Sequence, residues 1–206
     1  MSAVEKTEPA VSTPAIGQAY GGGFITGITR DPATGKRSLH ITAGAAHELV
    51  GKWGEYGVKI EGANSFTDSL ANTQAMAAAG SELASKVLAL SVGGYNDWAI
   101  PARDVQELQY RHFKPTTEEN WESSRNGDNP HSEPVGQLYS AEDPLKTAHT
   151  AFQEGGAEAF RDTWYWSSSQ RSATSAFGMN FADGFQTSYA KYGELRVRPV
   201  RSELID

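Results

Sequence analysis

Side chains that commonly carry catalysis are sparse and dispersed in this sequence. The five histidines share no spacing typical of metal ligands. They are His40, His47, His112, His131 and His149. The absence of cysteine excludes disulfides, thiolate zinc sites and cysteine nucleophiles. No Gly-x-Ser-x-Gly motif surrounds a serine, although a Ser-His-Asp triad in another context stays open. The sequence therefore predicts a protein that is not an enzyme and has no cofactor.

Oxygen ligands suited to calcium are present, but they fall in turn-like sequence. Asn96 and Asp97 precede Trp98, and Asp128 and Glu133 lie further along, close to prolines. Calcium needs several oxygen ligands that converge from separate segments. Because Asn, Asp and Pro are also the residues that turns favour, we expect turns and caps here and no metal site.

An aromatic run at residues 164–166 offers two interpretations. Such rings can form a stacking platform for a sugar, or they can fill the core ahead of a C-terminal strand. We expect Trp166 to lie in the core and leave Trp164 open between the two.

Charge and composition limit the classes of partner. The 206-residue chain has a formal net charge of −7 and no polybasic run, which argues against nucleic acid and anionic membranes. Arg196, Arg198 and Arg201 are expected on a solvated or interface strand face rather than in an anion site. No stretch is long and apolar enough to cross a bilayer, and the first residues lack the apolar segment of a secretory signal. We expect synthesis in the cytoplasm.

The chain divides into a short arm and one domain. Residues 1–19 are polar, include two prolines and show no sustained periodicity, which predicts a flexible or assembly arm. Residues 20–206 form the predicted domain. Hydrophobic residues make up 38% of the chain, enough for a core, and 21 glycines suit a loop-rich protein with strands.

The sequence of the first part of the domain predicts a β-hairpin followed by helices. Residues 24–28 and 39–41 flank a Pro/Gly turn, which indicates a β-hairpin. Asp68 and Ser81 are predicted N-caps of two helices separated by Gly80. Residues 93–94 are expected to end the second helix.

A short strand, a third helix and a long loop are predicted next. We expect the strand at residues 97–100, and the helix from Pro101 to about His112 with Val105 and Leu108 on its inner side. Residues 114–148 are polar without clear periodicity, and a segment this long is usually functional or mobile.

The block from Trp164 to Arg201 predicts short strands and ordered loops. Asp183-Gly184 is a strong hairpin-turn signal. Before this turn, Phe177, Met179 and Phe181 are expected to share one face of a strand. Phe185, Thr187 and Tyr189 are expected to share one face after it.

Several segments along the sequence resemble those of a known protein family. GGYNDWAIPARDVQELQY, FQEGGAEAF, YWSSS, FGMNFADGFQ and ELRVRPVR resemble a C-type-lectin-like domain family, which occurs in phage virion proteins and at the C-terminus of a collagen-like bacterial adhesin. The family is related to the variable proteins of diversity-generating retroelements. The resemblance implies an α+β, C-type-lectin-like fold: an antiparallel sheet, two to three helices, long loops, and N- and C-terminal strands close together.

By the same resemblance, the chain is expected to be a phage virion protein of the tail or capsid. It would display a receptor-binding surface at a tail fiber or tail tip, without enzymatic activity. The implied partners are other virion proteins, contacted through the N-terminal arm, and a host surface protein or glycan. A homo-oligomer is expected, with no nucleic acid and no membrane.

Two alternatives remain. Residues 170–175 lack the exposed tyrosines common in such relatives, which raises the alternative of a structural decoration or attachment subunit that binds other virion proteins. The other alternative is a calcium-dependent carbohydrate-binding lectin.

The predicted binding surface lies in the C-terminal block, where homologous positions vary in the resembled family. If the prediction is wrong, its aromatic residues belong to the core and its polar residues are merely solvated. The predicted surface comprises Gln170, Arg171, Thr174, Phe177, Asn180, Asp183, Phe185, Thr187 and Tyr189.

Overall fold

The computed structural model describes residues 15–123 and 125–205, which form a mixed α+β fold. The helices are α1 (Ser69–Ala78), α2 (Glu82–Leu88) and α3 (Arg103–Phe113). The strands are β1 (Ala19–Tyr20), β2 (Gly23–Arg30), β3 (Arg37–Ala43), β4 (Leu49–Lys52), β5 (Ser132–Glu133), β6 (Trp164–Gln170), β7 (Ser175–Asn180), β8 (Gln186–Ala190), β9 (Glu194–Val197) and β10 (Val200–Ile205). The predicted α+β class is confirmed.

The first sheet holds the N- and C-terminal strands. Its order is β1-β2-β3-β10, with β5 also paired to β2, and all of these pairs are antiparallel. The predicted hairpin is β2 and β3, in which Ile25 faces Ile41. Its turn is closed by Asp31, whose Oδ1 accepts hydrogen bonds from Ala33 N and Thr34 N. The expected nearness of the terminal strands is confirmed, since only β3 separates β2 from β10.

The second sheet has the order β4-β9-β6-β7-β8. Its pairs are antiparallel except that β6 and β9 run parallel where Tyr165 faces Arg196. The sequence led us to expect one antiparallel sheet, and the structure has two. The chain crosses between them in the short segments 43–49 and 197–200.

Local sequence fixes the ends of the first two helices. Asp68 caps α1 by accepting a hydrogen bond from Ala71 N, and Ser81 caps α2 by accepting one from Ala84 N. Gly80, with φ of +90°, separates the two helices as predicted. Helix α2 nevertheless ends at Leu88, before the position expected.

Two neighbouring expectations also need correction. Residues 93–94 form a turn that joins Val92 to Tyr95 rather than a helix end. Residues 97–100 make only one bridge, from Ala99 to Val200, because the rest of that segment runs beneath α1 and into α3.

The core is built around buried tryptophans and a stack of aromatic rings. Trp53, Trp98 and Trp166 are buried in one cluster, so the predicted core role of Trp166 is confirmed. In the other cluster, Phe160 stacks on Phe181 with ring centres 4.3 Å apart. Helix α3 lies against both sheets.

Polar side chains of α3 connect it to its surroundings. Gln106 Nε2 donates to Trp166 O at 2.8 Å, in the second sheet. Gln109 Nε2 donates to Thr42 Oγ1 in β3 and to Arg198 O. These bonds satisfy buried backbone and hydroxyl acceptors, so α3 is fixed in position as well as packed.

The end of the predicted N-terminal arm belongs to the folded unit. Gly17 N donates to Ile25 O, and Ile25 N donates to Gln18 O. Ile16 packs against both core clusters. The last residues of the predicted arm, Ile16 to Gln18, therefore contact the domain, and residues 1–14 lie outside the described residues.

The long segment 114–148 contains β5 and is otherwise irregular, yet side chains hold it in place. The amide of Asn120 donates to Ser140 O and Pro144 O. Lys114 Nζ donates to Asn120 Oδ1 at 2.8 Å. These contacts make the segment an ordered loop.

Candidate functional site

The predicted binding surface centres on the hairpin of β7 and β8, where β8 is the edge strand of the second sheet. Phe177 faces Ser188 and Gly178 faces Thr187 across the hairpin. Residues that face each other in antiparallel strands point to the same side. Phe177 and Thr187 therefore lie on opposite sides, and the single predicted surface is divided into two.

Two side chains that were predicted from the sequence to contact a ligand hold the turn of this hairpin. Asn180 Oδ1 accepts a hydrogen bond from Ala182 N at 3.1 Å, and Asp183 Oδ1 accepts one from Phe185 N at 3.0 Å. Gly184 has φ of +75°, and a Cβ there would lie 2.5 Å from the Tyr110 ring. Asn180 and Asp183 thus fix the turn, whatever else they contact.

One side of the hairpin carries a row of aromatic rings. Ring centres of Trp164 and Tyr189 are 4.6 Å apart, and those of Trp164 and Phe185 are 5.9 Å apart. Trp121 extends the row, 5.4 Å from Phe185, and is 50% exposed. We call Trp121, Trp164, Phe185 and Tyr189 the aromatic face. Thr187 points to the same side of β8, and it also lines the cleft described next, so it borders both sites.

The other side of the hairpin borders a cleft of about 330 Å³, which we call the basic cleft. Arg103, at the start of α3, lies over the Phe66 ring with its guanidinium carbon 4.8 Å from the ring centre. Arg171 Nη1 donates to Ser188 Oγ at 3.0 Å. The lining residues are Phe66, Arg103, Arg125, Arg171, Phe177, Gln186 and Thr187.

Gln170 has a structural role instead of the predicted role in ligand contact. Its side chain is buried, donates to Ile60 O, and accepts from Ile60 N and Lys191 Nζ. We therefore remove Gln170 from the binding surface. Thr174 lies in the turn between β6 and β7, where its hydroxyl is 3.1 Å from Ser172 Oγ.

Two of the three C-terminal arginines, Arg198 and Arg201, are not on a solvated strand face, whereas Arg196 stays partly exposed. Arg198 is buried and binds the carboxylate of Glu48, which Arg196 also contacts. Arg201 is buried and pairs with Asp97. The expectation of a solvated face is wrong for Arg198 and Arg201, because the carboxylates that pair with them are distant in sequence.

Other candidate metal or catalytic residues are engaged within the fold. His131 Nδ1 lies 2.6 Å from Asp104 Oδ2, and burial raises the pKa of Asp104. The Glu133 carboxylate contacts Arg30 and Arg37, which lower its pKa. In the part of the chain that the structure describes, no group of three or more His, Asp or Glu side chains is arranged to hold a metal ion.

Sequence reasoning missed several residues that complete these two sites. Trp121 and Arg125 come from the 114–148 segment, and Phe66 precedes α1. A lone tryptophan in a polar segment was the available signal for Trp121. Nothing local marks Phe66 or Arg103 as neighbours of Phe177, because their contact depends on the packing of α3.

Comparisons with family models, with curated proteins and with solved structures found no match to this chain. The interpretation of the aromatic face and the basic cleft therefore depends on their own geometry. Within the described ranges 15–123 and 125–205, no helix has the length and hydropathy needed to cross a membrane.

Proposed function

We propose that this protein is a non-enzymatic binding protein with a C-type-lectin-like fold, carried on a phage virion as part of the tail or capsid. Its aromatic face contacts a surface protein or glycan of the host cell. The observation that supports this proposal is the continuous row of rings from Trp121 to Tyr189, which follows one side of the edge hairpin.

The aromatic face has the properties of a good contact surface. Aromatic side chains give a large contact area and lose little conformational entropy on binding. Phe185 directly follows the turn that Asp183 and Gly184 fix, and Trp164 packs against both Phe185 and Tyr189. The rings are therefore held in position before a ligand arrives, which lowers the cost of binding.

Trp121 offers the sharpest test because it is the most exposed member of the row. The Trp121→Ala variant should weaken binding to bacterial cells or arrayed glycans by about tenfold or more, because exposed tryptophans often carry a large share of the binding energy. The Tyr192→Ala variant is the matched control, since Tyr192 is an exposed aromatic residue outside the row. Labelled protein would be titrated onto both targets, and the melting temperature would confirm folding.

The assignment of the aromatic face would be contradicted if both variants lost binding equally, or if neither variant lost any. If the unchanged protein binds no cell or glycan but assembles into particles, the structural alternative is favoured.

That alternative, a decoration or attachment subunit, has its own supporting observation. The loop 114–148 exposes Val135, Leu138 and Leu145, the last at 74%. Exposed apolar side chains of this kind suit contact with another virion protein or a second copy of the chain. Removal of residues 1–14 tests the proposed assembly role of the N-terminal residues. The shortened protein should stay folded but lose its oligomeric state in light scattering.

The calcium-lectin alternative is tested by thermal unfolding. Asp97 pairs with Arg201, and Glu133 pairs with Arg30 and Arg37, so these carboxylates have partners without a metal. We expect the same melting temperature with chelator and with millimolar calcium. A ligand present at a hundred times its dissociation constant stabilises the native state by about 2.7 kcal/mol, so a bound calcium ion would be visible and would favour the lectin.

A further inference from the structure

We propose that the basic cleft binds the carboxylate or sulfate group of an acidic saccharide. This site lies on the opposite side of the β7–β8 hairpin from the aromatic face and does not depend on the function proposed for that face. The cleft gathers three arginines in a chain whose formal net charge is −7.

Arg103 is the fixed part of the site. It is 7% exposed, and its Nη2 donates to Asp128 O at 3.1 Å. Its guanidinium carbon lies 4.8 Å from the centre of Phe66 and 5.8 Å from that of Phe177. A guanidinium group held between aromatic rings keeps its planar set of donors in one orientation, which suits a planar carboxylate.

Arg171 is the open part of the site. Its side chain is exposed and donates to Ser188 Oγ, and no carboxylate of the described residues lies within ion-pair distance. A bound oxyanion would give this guanidinium group the partner that the protein does not provide. Charge-assisted hydrogen bonds of this type are stronger than neutral ones.

The carboxylates near the cleft neutralise only two of its three arginines. Asp128 pairs with Arg125 at 2.8 Å, and Asp104 lies 3.7 Å from Arg103 Nε. Neither aspartate lines the cleft. The positive charge of one arginine, Arg171, is left without a carboxylate partner. A single bound anionic group would neutralise it.

The remaining lining favours a sugar over a bare inorganic anion. Phe66 and Phe177 present apolar ring surface, against which the C–H face of a sugar can pack. Gln186 Nε2 is buried and has no hydrogen-bond partner among the described residues. An unpaired buried donor is costly, so an acceptor such as a sugar hydroxyl would be favoured beside it after a small side-chain rotation. The volume of about 330 Å³ lies at the lower end of ligand pockets.

The test is a titration of the full chain with sodium glucuronate, galactose 6-sulfate and neutral methyl glucoside, followed by NMR and calorimetry. At least one acidic sugar should bind about tenfold more tightly than methyl glucoside, and salt should weaken its binding. Arg171→Gln should weaken that binding by about tenfold. Arg161→Gln, which removes an exposed arginine outside the cleft, should leave it unchanged.

Three results would overturn the proposal. The first is that the acidic sugars bind no more tightly than methyl glucoside. The second is that Arg171→Gln binds them as well as the unchanged protein does. The third is that inorganic sulfate or a glutamate-rich peptide binds at the cleft while both acidic sugars fail, which would assign the site to a different ligand. The sugar that binds more tightly identifies the preferred anionic group.

Discussion

Two basic side chains, His40 and Lys191, are buried with neutral groups as their hydrogen-bond partners. His40 is 1% exposed, with Nε2 2.7 Å from Thr29 Oγ1 and Nδ1 2.9 Å from Ser202 Oγ. Lys191 Nζ donates to Val58 O and Gln170 Oε1. Burial lowers the pKa of His40 to about 4 and that of Lys191 to about 8. Both groups therefore lose their proton more readily in the folded protein than in the unfolded chain, and His40 stays neutral down to about pH 4.

We expect His40 to make stability depend on pH between about 6.5 and 4. In this window the unfolded chain binds a proton at His40 and the folded protein does not, so stability falls as the pH falls. The loss reaches roughly 3 kcal/mol by pH 4. In urea unfolding at pH 7, 5.5 and 4.5, the stability advantage of the unchanged protein over His40→Asn should shrink with each step. An advantage that stays constant would contradict the buried, neutral state of His40.

The β7–β8 hairpin holds residues with a structural role next to other residues of the predicted binding surface. Asn180 and Asp183 accept backbone hydrogen bonds in its turn, whereas Thr187 makes no such contact among the described residues. The polar residues of the predicted surface are therefore not equivalent.

Substitutions in this hairpin should separate the two roles. Asp183→Ala removes the acceptor for Phe185 N and should cost about 1 kcal/mol of unfolding free energy. Thr187→Ala, the control in the same hairpin, should stay within about 0.5 kcal/mol. Chemical denaturation of both variants provides the comparison. Equal stability of the two variants would show that the Asp183 side chain does not hold the turn.

The same hairpin shows which features could be predicted from the sequence. The Asp183-Gly184 turn was predictable because its signal is local, and so were the caps Asp68 and Ser81. The division of the surface was not predictable, because it depends on which residues pair across the hairpin. The contacts of Gln170 with Ile60 and of Trp121 with Phe185 join distant parts of the chain, and no local pattern indicates them.

The two sheets are joined where the chain crosses between them, and an ion-pair network spans both crossings. Glu48 lies between β3 and β4, and Arg198 lies between β9 and β10. Glu48 Oε2 accepts from Arg198 and from the Tyr165 hydroxyl, while Oε1 accepts from Arg196 Nη1 at 2.7 Å. Arg198 also donates to Ala159 O and so anchors the segment before β6.

Neutralising Glu48 should weaken the whole fold. Glu48→Gln would leave the guanidinium group of Arg198, which is 1% exposed, without its carboxylate. Breaking a buried pair in this way costs about 3–5 kcal/mol. Glu61→Gln is the control, because Glu61 pairs with Lys59 in solvent, and its unfolding curve should match that of the unchanged protein. A Glu48→Gln variant as stable as this control would rule out the network as the link between the sheets.

The alternation of side chains along β8 affects how mutations in the gene can change the two surfaces. A codon change at position 185 or 189 alters the aromatic face, one at position 186 or 188 alters the border of the basic cleft, and position 187 borders both. Selection can therefore reshape one surface while the other keeps its chemistry, although the two are encoded by interleaved triplets of the same short stretch of gene.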